Sequence, residues 1–182
     1  GLPTATLISC HSTRLADRIH YALGGKYFRM YSNQDIVGTQ IAGAVKNVIA
    51  IAAGVVEGRS LGENARAALI TRGLTEMMRL IKAKGGQEET LMGLAGVGDL
   101  MLTASSHKSR NYALGVALGR SEPTRGLGLT EGVATAESVS QMAHKLGVGM
   151  PIVNAVHGVL SGQIDVSGAI ERLLERPANF EL

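Results

Sequence analysis

A chain of 182 residues with 45% apolar and 18% charged side chains is long enough for one domain or slightly more, and can bury a core without disulfide staples. This excludes a disulfide miniprotein and the charged, weakly hydrophobic composition of disordered chains. Eighteen basic against fifteen acidic residues give a net charge of +3, without a basic run or interleaved aromatics, which argues against nucleic acid as a partner and leaves an anionic small molecule open.

Residues 4–9 (TATLIS) and 27–31 (YFRMY) read as short strands, separated by a stretch with Leu15, Ile19 and Leu23 at helical spacing. Strand, helix, strand suits a parallel crossover, and two strands do not make a stable sheet alone. A larger sheet outside this chain is therefore expected, with the chain as a fragment. The start Gly1-Leu2-Pro3 shows no signal peptide. Cys10 is the one cysteine and has no internal disulfide partner, which favours a cytoplasmic host.

From about Asp35 the pattern changes to apolar segments punctuated by glycine, the signature of a helical bundle. The aromatics number six and Trp is absent, so the core must come from Ala, Leu, Ile, Val and Met in closely packed helices. The spacing predicts helices over 36–57, 63–84, 88–92, 97–103, 109–118, 132–146, 151–161 and 166–175. Ser60-x-x-Glu63 has the form of a capping box and Gly85-Gly86 a stop. Pro151 suits a first helical turn, and Gly119, Gly147 and Gly162 suit C-terminal caps. Residues 41–56 are the most apolar stretch; they are short for a bilayer span and carry Lys46 and Asn47 near the middle, so no membrane span is expected. Residues 119–130 form the one long loop with glycine and proline, a candidate mobile element beside a site.

The sequence lacks C-x-x-C, H-E-x-x-H, a Walker loop and a G-x-S-x-G elbow. Three G-x-G pairs, at Gly96/Gly98, Gly126/Gly128 and Gly147/Gly149, carry Met101, Glu131 and Ile152 where a dinucleotide fingerprint needs its third glycine. The five histidines lack metal-ligand spacing, so no metal is expected and each reads as a surface or packing residue.

Against this background Lys46 is anomalous, an ammonium in GAVKNVIAIAAG (43–54), on a helix apolar nearly all round. It either snorkels to water along its alkyl stem or is a tuned group for general acid and base chemistry. Asp99 is the lone charge of GLAGVGDLMLT (93–103), with Thr103 four residues on and so on the same helical face. Asp99 reads either as a first-turn helix acid or as a carboxylate that pairs with the lysine; two lone opposite charges in apolar settings are better explained together. Ser109-Arg110-Asn111 opens a helix, where free amides and a guanidinium suit phosphate oxygens, although solvated caps of this kind are common. Glu131 is either another first-turn acid or an acceptor for ligand hydroxyls or an amide.

Taken in order, GAVKNVIAIAAG, NARAALITRGLTEM (64–77), GLAGVGDLMLT, SRN (109–111), TEGVATAESV (130–139), MPIVNAVHGVL (150–160) and ERLLERP (171–177) resemble the C-terminal part of bacterial NAD(P)-dependent glycerol-3-phosphate dehydrogenases. His107, Lys108 and Thr130 depart from the family's usual residues. The resemblance implies a mainly α fold: a helical substrate-binding and catalytic domain over 35–182, preceded over 1–34 by the end of a Rossmann-type dinucleotide-binding domain. It implies interconversion of dihydroxyacetone phosphate and sn-glycerol 3-phosphate with NAD or NADP, for glycerophospholipid synthesis, in a cytoplasmic homodimer. The fingerprint glycines and a second substrate-contacting lysine would lie upstream, leaving the isolated chain inactive. On this resemblance Lys46, Asp99 and Thr103 are catalytic, and Lys46, Asn47, Asp99, Ser109, Arg110 and Asn111 bind substrate. Arg110, Leu129 and Glu131 contact the cofactor. A Schiff-base lysine enzyme acting on a phosphorylated carbonyl and a non-catalytic helical dimerisation domain stand as alternatives.

Overall fold

The computed structural model describes residues 1–124 and 130–175. Its N-terminal unit is β1 (Thr4–Ser9), α1 (Thr13–Leu23) and β2 (Phe28–Asn33). The strands pair in parallel, from Thr4 opposite Phe28 to Ser9 opposite Asn33, with α1 as the crossover that parallel pairing requires. Ser12 caps α1 by accepting the Leu15 N–H at 3.2 Å. The Leu15, Ile19, Leu23 stripe does not reach a core, since Leu15 and Leu23 remain 46% and 61% exposed. Tyr27, Phe28 and Tyr31 are likewise uncovered, because two strands and one helix have too little surface to bury one another.

The rest is helical, as the glycine punctuation predicts. It comprises α2 (Ile36–Gly58), α3 (Glu63–Ala83), a 3-10 turn (Glu88–Met92), a π-helical turn (Leu94–Gly98), α4 (Asp99–Thr103), α5 (Arg110–Gly119), α6 (Glu131–Leu146), α7 (Pro151–Leu160) and α8 (Val166–Leu174). Helix α2 is the axle, with Ala42, Val45, Val48, Ile49 and Ala50 fully buried among α3, α5, α6 and α7. Its 23 residues are long and apolar enough, by length and composition, to cross a membrane, so the 41–56 stretch understates the element. In this fold 56% of its most apolar window is buried inside the protein, as befits a helix apolar all round at the centre of a bundle.

Helix α5 meets α2 along a seam of glycines. A Cβ on Gly54 would stand 2.1 Å from the Tyr112 carbonyl oxygen, and one on Gly115 2.0 Å from that of Ile51. Gly119 is part of this seam, 2.7 Å by the same measure from the Val55 carbonyl. It is therefore the last helical residue of α5 and not its cap, which is Arg120, and the left-handed position falls at Ser121, at φ +58°. The capping box does not form either. The chain must reverse within a few residues of α2, so the Ser60 and Leu61 amides bond back to the Glu57 and Val56 carbonyls, and Gly62 becomes the N-cap of α3 without a side-chain bond. Gly147 and Gly162 do follow α6 and α7 in the left-handed region, and Pro151 opens α7. The N-terminus of α7 is held by buried Glu76, which accepts the Ile152 N–H at 2.7 Å and the Val153 N–H at 3.2 Å.

Asp35 anchors the start of the bundle. Its carboxylate, 7% exposed, accepts the Gly38 N–H at 2.8 Å, the Gln87 N–H at 2.9 Å and the Thr90 hydroxyl at 2.6 Å. Burial alone would raise its pKa, but these three hydrogen bonds together outweigh it and hold the group below the ordinary carboxylate value. The folded state thus favours the ionised form, giving stabilisation that is present above the unfolded pKa of about 4 and lost as pH falls through the lower folded value. Asp35→Asn, which turns an amide donor toward these donors, is expected to cost about 2–4 kcal/mol at pH 7. The gap to the wild type should narrow on acidification. Denaturant unfolding of the full-length protein at pH 7 and pH 3 checks this, and equal stability at pH 7 would refute it.

Candidate active site

The centre of the site is an ion pair between two helices. Lys46 lies midway along α2, and its Nζ donates to Asp99 Oδ2. The two side chains are 19% and 34% exposed, so the pair is half-buried and in contact with water. What delivers Asp99 is the π-helical turn. Gly98 N–H bonds to the Gly93 carbonyl at 3.2 Å, and a Cβ on Gly96 would stand 2.0 Å from the Leu91 carbonyl oxygen, so this tight turn requires glycine. Asp99 is the first residue of α4, after the N-cap Gly98, which has no side chain to cap the helix, and its carboxylate turns to the lysine. The Thr103 hydroxyl donates to the Asp99 carbonyl oxygen at 2.6 Å and lies 3.3 Å from Oδ1, bracing the acid from one turn below.

A second set of contacts begins one residue along α2. Asn47, 6% exposed, accepts from Asn111 Nδ2 at 3.0 Å through its Oδ1 and donates from Nδ2 to Glu131 Oε2 at 3.3 Å. Asn111 in turn accepts the Gly132 N–H at 3.0 Å. The starts of α5 and α6 are thereby tied to the helix that carries the lysine. Ser109 caps α5 by accepting the Tyr112 N–H at 3.3 Å, which leaves its O–H free to donate. Arg110 and Glu131 are exposed; Arg110 adjoins Asn111 in the chain, and Glu131 is joined to Asn47. Leu129, Gly126 and Gly128 lie outside the described residues, as does part of the 119–130 loop.

The side chains gathered here therefore include Lys46, Asn47, Asp99, Thr103, Asn111 and Glu131, with Ser109 and Arg110 adjoining. Sequence reasoning missed a polar cluster behind Asn111. Tyr112, fully buried, donates its hydroxyl to Glu57 Oε2, and Arg66 donates to the Tyr112 oxygen at 2.7 Å and to Glu57 at 3.4 Å. His107 Nε2 reaches Glu57 Oε1 at 2.8 Å, and its ring meets that of Tyr112 edge-on with centroids 5.5 Å apart. The Tyr112 hydrogen bond holds the Glu57 carboxyl below the usual range against the opposing effect of burial, helped by His107 and Arg66. Burial, with the Glu57 bond, pushes the Tyr112 phenol up. The available signal was Tyr112 itself, the sole aromatic between positions 32 and 179. Among the described residues no group of three or more His, Cys, Asp or Glu could hold a metal ion.

An ammonium oriented by a carboxylate, with an exposed guanidinium next in the chain to Asn111, suits a phosphorylated substrate whose oxygen must gain or lose a proton. The profile of the family described as NAD-dependent glycerol-3-phosphate dehydrogenase C-terminus matches residues 35–171. The chain belongs to that family. It is 50% identical over 184 residues to a glycerol-3-phosphate dehydrogenase [NAD(P)+] of Rhizobium etli, covering all of this chain and 56% of that relative. It is 53% identical over 186 residues to the Rhodospirillum rubrum protein of the same name, covering all of this chain and 53% of the relative. The crystal structure of glycerol-3-phosphate dehydrogenase from Coxiella burnetii superposes with a TM-score of 0.91 at 42% identity, over 96% of this chain and 55% of that one. The chain thus spans about half the length of these relatives. The family match covers the bundle from Asp35 to Glu171, including every described residue of the site.

Proposed function

We propose that the full-length protein interconverts dihydroxyacetone phosphate and sn-glycerol 3-phosphate with NAD(H) or NADP(H), and that residues 35–182 form its substrate-binding and catalytic domain. The observation that carries this reading is the half-buried Lys46–Asp99 pair, with Asn47, the next residue on the same helix, bonded to Asn111. Residues 1–34, with their uncovered apolar side chains, are assigned to the end of the dinucleotide-binding domain. The wider setting, proposed from the sequence reading alone, is a cytoplasmic homodimer with no membrane span and no nucleic-acid partner, supplying sn-glycerol 3-phosphate for glycerophospholipid synthesis.

The exposed groups fit a nicotinamide dinucleotide. Glu131 presents a carboxylate steadied by Asn47, an acceptor for ligand hydroxyl or amide donors, and Arg110 presents a fork for phosphate oxygens. Leu129 is assigned to the same contact by family resemblance alone. When bound, the reduced dinucleotide supplies the hydride that reaches the carbonyl carbon.

As charge develops on the carbonyl oxygen, the Lys46 ammonium stabilises it and gives up a proton to form the alcohol. In oxidation the neutral amine takes that proton back. Asp99 fixes the direction of the Lys46 Nζ–H bonds, and Thr103 fixes Asp99. Arg110, with Ser109 and Asn111, grips the phosphate end, converting binding energy into orientation of the carbonyl toward Lys46.

The test is a steady-state assay of the full-length enzyme with dihydroxyacetone phosphate and either reduced dinucleotide; absence of turnover with both would overturn the proposal. In the same assay Arg110→Lys is expected to raise KM by roughly tenfold with the fold intact, because lysine keeps the charge and loses the bidentate fork. Unchanged kinetics would reduce Arg110 to a solvated helix start.

A further inference from the structure

The segment Ser109–Asn111 is bracketed by two residues, His107 and Tyr112, that bond to the same carboxylate. Tyr112 donates its hydroxyl to one oxygen of Glu57, and His107 reaches the other at 2.8 Å. Glu57 is on α2, ten residues beyond Asn47, which places it about 15 Å farther along one rigid helix. Arg66, from the first turn of α3, closes the cluster by donating to both the Tyr112 oxygen and Glu57, and pairs with Glu63. One helix therefore carries the ion pair at its centre and, three turns on, the clamp for the segment that grips the phosphate.

We propose that Glu57 is a positioning residue for Arg110, acting through His107 and Tyr112 to set the distance between the phosphate-gripping segment and Lys46. The inference rests on the function proposed above. The clamp works at two points. Tyr112 fixes the first turn of α5 from within, because it is fully buried and its backbone lies on Gly54. His107 fixes the connection from α4 from outside, its side chain being 64% exposed. The other bonds of that connection are local, among them those from the Ser109 amide to the Ser106 carbonyl at 2.9 Å, from the Lys108 amide to the Ser106 hydroxyl at 3.2 Å and from the Ser105 hydroxyl to the Met101 carbonyl. Such bonds shape the loop, and the long contact to Glu57 is what registers it against α2. None of the three residues touches Lys46 or Asp99, so the clamp bears on how the substrate is held and not on proton transfer.

The experiment compares His107→Ala, His107→Gln, Tyr112→Phe and Glu57→Ala in the full-length enzyme, reading KM for dihydroxyacetone phosphate, kcat and melting temperature. His107→Ala should raise KM about fivefold and Glu57→Ala about tenfold, with kcat within about threefold of the wild type, since misplacing a binding group weakens orientation without removing the reacting one. Glutamine at 107, whose amide can still donate to Glu57, should restore most of the KM. His107→Ala should add little in a Glu57→Ala background, because both break one unit. Should Glu57→Ala fail to fold, His107→Ala and Tyr112→Phe decide the matter, being an exposed truncation and a loss of one hydroxyl. Unchanged KM in folded variants, or KM and kcat worsening together in step with melting temperature, would overturn the proposal. No turnover by the wild-type enzyme would instead overturn the function on which it rests, and the clamp's role with it.

Discussion

Replacing Lys46 by methionine in the full-length enzyme is expected to lower turnover by at least about a hundredfold, the scale for losing a general acid or base, while the melting temperature holds. Methionine keeps most of the unbranched stem that lies among the apolar neighbours on α2 and removes the ammonium. The Asp99 carboxylate left behind is a third exposed, so water can solvate it and the fold need not suffer. Asp99→Asn added to this variant should reduce activity little further, because residues that act as one unit are not additive. If Lys46 merely carried its charge to water, the methionine variant would turn over like the wild type, and that outcome would end the mechanism. The same residue separates proton transfer from amine addition: borohydride with dihydroxyacetone phosphate should leave Lys46 unmodified, whereas a trapped adduct would favour the Schiff-base alternative.

The second large effect concerns the helix seam beneath the site. Gly115→Ala should destabilise the full-length protein by about 3 kcal/mol or more, although alanine is the better helix former by about 1 kcal/mol. The new Cβ would sit 2.0 Å from the Ile51 carbonyl oxygen, which is backbone and cannot rotate aside, so α2 and α5 must part. One turn toward the N-terminus the same two helices carry the Asn47–Asn111 bond, and separating them should raise KM as well as lower the melting temperature. Gly43→Ala supplies the control. It lies on the same α2 and its added Cβ would meet nothing within 4 Å, so there the propensity gain should stand alone. Equal or higher thermal stability of Gly115→Ala would show that the seam can relax.

Much of the architecture was legible before any coordinates. Helix ends from Asp35 onward follow local chemistry: Asp35 and Ser109 cap their own helices, Pro151 starts one, and Gly147 ends another. These depend on residues within one turn, and one turn of sequence contains the information. Lys46 and Asp99 were likewise conspicuous, because a lone charge in an apolar segment is a local anomaly. Some short-range inferences failed where packing outweighed them. Ser60 serves the backbone turn after α2, Gly119 is the last helical residue of α5, where it leaves room for the α2 backbone, and not its cap, and the stripe on α1 has nothing large enough to cover it.

The sequence by itself determined that this is a helical chain carrying a buried-type lysine, a lone carboxylate and a serine-arginine-asparagine helix start. Only the tertiary structure decided that Lys46 meets Asp99 across 53 residues, that Asn111 meets Asn47 across 64, and that Tyr112 meets Glu57 across 55. Hydrophobic periodicity records which face of a helix is buried and carries nothing about which other helix covers it. That choice is made by shape, here by glycines that let α5 lie against α2 and by a π-helical turn that aims Asp99 at the lysine. A contact between distant segments exists only once both surfaces have formed.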